Sequence, residues 1–148
     1  MYDQPRANAS ATAMTFDQML ERVRYEGAYP TRERAAEAVH HVLAALGRQL
    51  TGDERVDLAQ CLPVEAALTL TAQIPDTRHL TGWGFVKDLA ARTGATPATA
   101  RWDTGAVLAT VARLAGPDLL GRILRRLPGG YALLFGQAEL RRPEPAPA

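Results

Sequence analysis

The sequence predicts an all-α protein, a compact helical bundle built from two tandem repeats of about four helical elements each. Two observations carry this prediction. Shifting the 148-residue chain by 65 positions, from 42 to 107, aligns it with itself without a gap: Val42-Leu43-Ala44 falls on Val107-Leu108-Ala109, and Leu62-Pro63 on Leu127-Pro128. Such a self-match is typical of a duplicated supersecondary unit. In addition, apolar residues recur at helical spacing, and no six-residue stretch alternates as a strand does.

The first repeat opens with two predicted helices. Thr15 or Asp17 can begin the first, and Gly27 followed by Tyr29-Pro30 is expected to end it. Thr31 is a suitable N-cap for the second, because its hydroxyl can accept a hydrogen bond from a free backbone N–H. The predicted buried positions of the two helices are Phe16, Met19, Leu20 and Val23 in the first, and Ala35, Val39, Val42, Leu43, Leu46 and Leu50 in the second.

Two shorter helices complete the first repeat. The run Thr51-Gly52-Asp53-Glu54 has the spacing of a capping box, with Thr51 as the cap and Glu54 three residues later. We expect the third helix to bury a narrow face of Val56, Ala59 and Leu62. Pro63 should end it, since proline lacks an N–H, and can begin a short fourth helix. That helix contains Ala66, Ala67 and Leu70.

The second repeat follows a predicted connection, Gln73 to Gly84, which includes Trp83. Its first helix is expected to end at Gly94, and Thr96-Pro97 supplies the cap and first turn of the next. Gly116-Pro117 is expected to stop that helix and start another. The predicted apolar positions are Phe85, Val86, Leu89 and Ala90, then Ala100, Thr104, Val107, Leu108, Val111 and Ala115, and finally a short helix over Tyr131 to Phe135.

The predicted organisation is one domain with two tails. Residues 14–74 form the first repeat and 75–136 the second. A chain of about 65 residues buries too little surface to be more than marginally stable, so the repeats are expected to share one core. Residues 1–13 are expected to be a disordered tail, and the Pro-rich residues 137–148 a mobile one.

The composition narrows the functional class. The formal net charge is +1, which points to no polyanionic partner, and the single cysteine, Cys61, suits a reducing compartment. No apolar run approaches the roughly 20 residues of a membrane span. The first residues lack the layout of a signal peptide. We therefore expect a cytoplasmic protein with no membrane partner.

These features together resemble the bacterial domain of unknown function 2267 family. The resemblance covers about residues 14 to 136, nearly all of the predicted ordered chain. It implies a helical fold, and it implies no activity, cofactor or catalytic residue. The features that carry it are the helix opening at Phe16, the stop at Gly27, the helix with Ala35, Val42-Leu43, Leu46 and Leu50, the Asp53-Glu54 turn, the Leu62-Pro63 helix end, and a second round that closes with Leu127-Pro128 and Leu134-Phe135.

One pair of residues has the spacing of a metal site. Glu37 and His40 form a Glu-x-x-His motif on a bundle helix, and carboxylate-bridged di-metal bundles use that spacing on two helices. The equivalent positions in the second repeat are Trp102 and Gly105, so the duplication does not supply the other half. We therefore favour two ordinary surface or boundary side chains and expect no metal.

Nothing else in the sequence has the pattern of a catalytic site. Cys61 has no histidine near it in sequence that could lower its pKa, so a packed or half-exposed thiol is favoured. No Gly-rich phosphate loop, paired-cysteine metal site or nucleophile elbow is present. The prediction is a non-enzymatic protein without a cofactor.

Basic residues of the second repeat are a candidate interaction surface. Arg122, Arg125 and Arg126 share a helix face, and Arg113 precedes them. Residues 1–74 contain 7 basic and 10 acidic residues, a net charge of −3, whereas residues 75–148 contain 10 and 6, a net charge of +4. Such a molecule could bind an anionic surface or pair with itself, although a solvated face is the simpler interpretation. Nucleic acid is disfavoured because no recognised reading motif is present.

Trp102 completes the candidate surface. It lies about 160° from the apolar stripe of its helix at roughly 100° per residue. A tryptophan there either packs on a neighbouring helix, for which we favour the first helix of its own repeat, or marks an interface. The functional prediction is a small interaction module, a scaffold or regulator that binds another protein or itself. The alternative is binding of an anionic ligand or nucleic acid through the basic face of the second repeat.

Overall fold

The computed structural model describes residues 14–137, and within them the chain forms seven α-helices and no strand. The all-α prediction is therefore confirmed. The disorder predicted for residues 1–13 and the mobility predicted for the C-terminal tail fall outside the described residues, apart from Gln137. The helices are α1 Phe16–Gly27, α2 Arg32–Gly47, α3 Gly52–Cys61, α4 Val64–Thr71, α5 Gly82–Thr93, α6 Pro97–Arg126 and α7 Tyr131–Leu134.

A threonine caps each of the four longer helices, and three of these caps, Thr15, Thr31 and Thr96, were predicted. Thr15 forms a reciprocal capping box with Gln18: its hydroxyl accepts from the Gln18 N–H at 3.1 Å, and its own N–H donates to Gln18 Oε1 at 2.9 Å. The hydroxyls of Thr31 and Thr96 accept in the same way at the starts of α2 and α6. These caps satisfy backbone donors that have no partner inside the helix.

The capping box predicted at Thr51 and Glu54 is wrong. Thr51 precedes α3, but its side chain makes no capping hydrogen bond. Gly52 has a φ of 76°, so the chain does not enter the helix with the backbone geometry that this cap requires. Glu54 instead faces α6, where it pairs with Arg122 and Arg126.

The buried face of α3 also differs from the prediction. Leu62 is buried and Ala59 packs partly buried against the core, as predicted, but Val56 is 54% exposed and Leu58, which was not predicted, is fully buried. The inner side of the helix also carries Glu54 and Arg55, whose charged groups find partners inside the molecule. The prediction therefore fails at Val56 and Leu58, beside the charged residues that have partners inside the molecule.

Arg55 ties together the carboxy-terminal ends of α2 and α4. Its guanidinium donates to the backbone oxygens of Gly47 and, at 2.9 Å, Leu50, and to those of Leu70 at 3.2 Å and Gln73 at 2.6 Å. Burial lowers the pKa of Arg55. The arginine thus supplies donors for carbonyl groups that the helix ends leave free.

The two glycine-containing junctions of the second half behave differently. Gly116 has φ 81° and ψ 163° and breaks α6, and Pro117 restarts it, which confirms the predicted stop and restart. The predicted connection from Gln73 to Gly84 is too long, because Thr81 caps α5 and the helix begins at Gly82. Trp83 therefore belongs to the first turn of α5 and not to a loop.

The core lies around α2 and the long α6. Helix α6 contacts α1, α2, α3, α5 and α7, and α2 contacts α1, α4, α5 and α6. One cluster of buried apolar side chains includes members from all seven helices, and thus from both predicted repeats. No helix within residues 14–137 is long and apolar enough to cross a membrane.

Candidate interaction groove

Trp102 is held in a fixed orientation on the surface of α6. Its side chain is 58% exposed, and its indole N–H donates to the backbone oxygen of Gly27 at 2.8 Å. Helix α1 ends there in a left-handed residue, Ala28 with φ 52°, so the Gly27 carbonyl is among the final carbonyls that have no helical partner. The contact is with α1, the first helix of the other predicted repeat. The expectation that Trp102 packs on the first helix of its own repeat, α5, is therefore wrong.

A buried polar network lies behind this tryptophan. The Tyr29 hydroxyl donates to Asp103 Oδ1 at 2.5 Å, and Arg34 Nη2 donates to both Asp103 carboxylate oxygens at 3.1 and 3.0 Å. The guanidinium of Arg34 lies 4.9 Å from the centre of the Tyr29 ring. Burial, followed by the hydrogen bond to Asp103, raises the pKa of Tyr29. The network links α2, α6 and the segment after α1, and thereby fixes the residue next to Trp102.

Two open grooves flank the indole. On one side a groove of about 360 Å³ contains Tyr29, Pro30 and Arg34. On the other side a groove of about 450 Å³ runs between α6 and the end of α1. It is lined by Glu26, Ala98, Arg101, Trp102, Gly105 and Ala106. In the second groove, the side chains of Ala98, Gly105 and Ala106 beside the exposed indole are small.

The second groove continues along α6 toward α7. A further depression of about 320 Å³ shares Glu26 with it and reaches Arg113, Phe135 and the last described residue, Gln137. We call these two adjoining depressions, from Trp102 to Gln137, the α6 groove. Charged side chains occur along its length in the order Arg113, Glu26 and Arg101, starting from Gln137.

The family of the chain follows from comparison with protein families. Residues 16–134 match the family described as an uncharacterized conserved protein, DUF2267. The chain belongs to this family. The match extends from the first residue of α1 to the last of α7, and it confirms the resemblance found in the sequence. No curated protein matches the chain.

In this DUF2267 chain the predicted interaction residues do not form one surface. Arg122 pairs with Asp57 at 2.9 Å and with Glu54 at 3.4 Å, and Arg126 pairs with Glu54 at 3.3 Å. These arginines are therefore engaged by α3. Arg113 and Trp102 lie instead along the α6 groove, and Arg125 is exposed. The pairing with α3 was missed because nothing in the local sequence shows that α3 packs against this end of α6.

The metal candidate of the DUF2267 chain lies on the exposed side of α2. Glu37 Oε1 is 3.5 Å from Arg34 Nη1, and His40 is an exposed side chain beside His41. Among residues 14–137, no three His, Cys, Asp or Glu side chains lie close enough to hold a metal ion. The structure therefore gives this pair no third protein ligand within that range.

Cys61 is half-buried at the end of α3. Burial, with a smaller effect from the charge of Asp57, raises the pKa of the thiol. Nucleophilic cysteines need the opposite shift, because the thiolate is the reactive form. The surroundings of Cys61 therefore favour a packed thiol.

Proposed function

We propose that this DUF2267 chain is a non-enzymatic cytoplasmic module that binds another protein, or a second copy of itself, through the α6 groove. The proposal rests on the fixed orientation and the exposure of Trp102. Its only polar atom is satisfied by Gly27, and more than half of the side chain is exposed. The exposed part is therefore an apolar ring in a fixed position.

Two physical arguments support this reading. Tryptophan is enriched among the residues that dominate binding energy at interfaces. A side chain that is already immobilised loses less conformational entropy on binding. The charges of Glu26, Arg101 and Arg113 at the edges of the groove would then select a partner and its orientation.

The alternative, an anionic ligand or nucleic acid on the basic face, has weaker support. Two of its three arginines, Arg122 and Arg126, already pair with carboxylates of α3. An anion at that position would have to compete with Glu54 and Asp57. We therefore place the proposed interaction at the α6 groove.

A crosslinking experiment with matched variants tests the proposal. A photoreactive benzoylphenylalanine at Ala98, which is exposed at the edge of the groove, should capture a distinct partner or a second copy in cells. Trp102→Ala should reduce that product at least tenfold. Trp83→Ala is the control, since Trp83 is 59% exposed and lies in none of the three grooves described above. If both variants have the melting temperature of the parent, equal yields of the crosslinked product would refute the proposal.

A further inference from the structure

We propose that the partner at the α6 groove is a second copy of this chain, which inserts the outer face of its helix α4. The inference rests on the function proposed above, because it names the occupant of the same groove. It also assigns a role to an apolar face of α4 that points away from the core.

Helix α4 is apolar on two opposite faces. Ala66 and Leu70 are fully buried, and α4 contacts α1, α2 and α3. On the other side, Val64 is 70% exposed and Leu68, one helical turn later, is 62% exposed. Glu65 is the one charged residue among the eight of this helix. A helix that is apolar all round is typical of a buried position, so the outer face of α4 is expected to be covered by a partner.

The α6 groove has the form that a short helix needs. Along α6 it is lined by Gly105, Ala109 and Ala112, which lie three to four residues apart. Side chains this small let two helix axes come close together. From Trp102 to Arg113 the groove extends over about 16 Å of α6, and the eight residues of α4 span about 12 Å, at 1.5 Å per residue. The outer face of α4 therefore fits between these two side chains.

The charges of the two halves favour a second copy as the occupant. Residues 14–74, which include α4, contain 6 basic and 9 acidic residues, a net charge of −3. Residues 75–137, which include α6, contain 8 basic and 4 acidic residues, a net charge of +4. Contact between the first half of one copy and the second half of another therefore brings opposite charges together, which steers the encounter.

The same complementarity holds at the contact itself. Glu65 is exposed beside the outer face of α4, and Arg101 and Arg113 are exposed along the groove. Glu26 also lines the groove, but its carboxylate lies 3.7 Å from Arg22 of its own helix. Glu65 of the incoming α4 thus meets a groove whose facing charges are mainly positive.

The proposed contact joins two different surfaces. Each copy can offer its α4 to one neighbour and its groove to another, and such heterologous contacts either close into a ring or continue. One eight-residue helix forms a small contact, so the association is expected to be weak.

Sedimentation velocity of the purified chain, up to about 1 mM, provides the first test. The parent should associate as its concentration rises, and Leu68→Lys should weaken the association at least tenfold. Leu133→Lys is the matched control: Leu133 is the equivalent residue under the 65-residue shift, is 54% exposed and is not among the residues that line the groove. A parent that stays monomeric would overturn the proposal, and so would equal effects of the two substitutions.

A mixture of two variants tests which surfaces meet. Leu68→Lys keeps the groove and loses the face of α4, whereas Ala109→Gln fills the groove and keeps α4. Each variant alone should remain monomeric, and an equal mixture should form a dimer and nothing larger, because one intact contact remains. Association of Ala109→Gln alone, or no dimer in the mixture when the parent associates, would show that other surfaces are used.

Salt dependence provides a second readout. Raising the sodium chloride concentration from about 50 to 500 mM should weaken association of the parent at least threefold, since exposed charges are screened, and Glu65→Gln should reduce that dependence. Association that strengthens with salt would contradict the charge complementarity and overturn the proposal. Failure here is distinguishable from failure of the proposed function. A monomeric parent with a different protein captured at Ala98 excludes the second copy and leaves the groove as a binding site, whereas a crosslink that ignores Trp102→Ala excludes the groove itself.

Discussion

The most buried carboxylate of the candidate site shows what a single residue contributes. Asp103 is 7% exposed, and both of its oxygens accept hydrogen bonds from Tyr29 or Arg34. Its partners lie 74 and 69 residues away in the chain. No local pattern could reveal them, because each residue alone has an ordinary environment in the sequence. The angular position of Trp102 on its helix was enough to identify it as a candidate. The hydrogen-bond network of its neighbour Asp103 could not be predicted from the sequence, because it depends on tertiary contacts.

Removing this carboxylate is expected to be costly. Asp103→Ala leaves a part-buried guanidinium and a buried hydroxyl without their acceptor, and we predict a loss of about 2–4 kcal/mol in the free energy of unfolding. Urea denaturation followed by circular dichroism measures it. Asp118→Ala, at an exposed position of α6, is the control. Equal midpoints for the two variants would show that the network does not stabilise the fold.

The same network should make stability depend on pH in the alkaline range. The pKa of Tyr29 is raised by burial and by the bond to Asp103. Because the folded-state value exceeds that of the unfolded chain, the contribution of the hydroxyl is complete below about pH 10 and is lost as the pH rises further. Tyr29→Phe should cost about 1–2 kcal/mol at pH 7, and its difference from the parent should shrink above pH 10. A constant difference from pH 7 to 11.5 would contradict this assignment.

At the scale of the helices, the sequence located most ends and the apolar faces of the long helices, and the error in a buried face falls on α3. Thr15 and Thr31 act through hydroxyls that accept hydrogen bonds from N–H groups three residues on, and Gly94 and Gly116 act through a positive φ. The local sequence is therefore sufficient to locate the helix ends that they set. The inner face of the 10-residue α3 was misassigned at Val56 and Leu58, because charged residues of this helix have partners on other elements. A short helix whose charged residues pair with distant elements is therefore where a pattern-based prediction fails.

The close contact of α2 with α4 depends on a missing side chain. A Cβ at Gly47 would lie 2.2 Å from the backbone oxygen of Leu70, which cannot move without shifting α4. We predict that Gly47→Ala destabilises the fold by about 1–3 kcal/mol, the range for overpacking. Gly121→Ala is the matched control: its Cβ would have only an ordinary contact, 3.7 Å from Arg125, so it should be neutral or stabilise by up to about 1 kcal/mol. Equal thermal midpoints would show that α4 can move away.

The centres of α2 and α6 should be the most sensitive apolar positions. Val42, Leu43, Val107 and Leu108 are fully buried. Truncating any of them to alanine should cost about 2–4 kcal/mol, since it removes buried apolar surface and leaves a cavity. Val56→Ala removes the same atoms from an exposed site and should change stability by less than about 0.5 kcal/mol. A similar loss at Val42 and Val56 would mean that α2 does not occupy the centre of the core.

At the scale of the molecule, the two predicted repeats contribute to one buried cluster. Residues 14–74 or 75–136 alone would expose the surfaces at which α2 and α3 meet α6. We predict that neither fragment shows a cooperative thermal transition, whereas residues 14–137 do. Differential scanning calorimetry at micromolar concentration distinguishes the cases. Two sharp transitions from the separate fragments would show that each repeat holds a core of its own.

The fold class and most helix bounds could be read from periodicity, caps and the internal self-match, because those signals are local or repeated. Only part of the candidate groove could be predicted from the sequence. Trp102 and Arg113 were identified as surface residues, but their alignment with Glu26 of α1 depends on how α1 packs against α6. The pairing of Arg122 and Arg126 with α3 depends on the same kind of contact between distant parts of the chain.

The ion pair between Asp57 of α3 and Arg122 of α6 is relevant to the predicted duplication. Asp57 and Arg122 occupy equivalent positions under the 65-residue shift, and their side chains meet at 2.9 Å. In a symmetric dimer of two identical units, a residue on the two-fold axis contacts the same residue of the other copy. A charged residue at such a position would therefore face a like charge. Linkage in one chain removes that constraint. Under the predicted duplication, opposite charges at the two positions would make the halves no longer interchangeable.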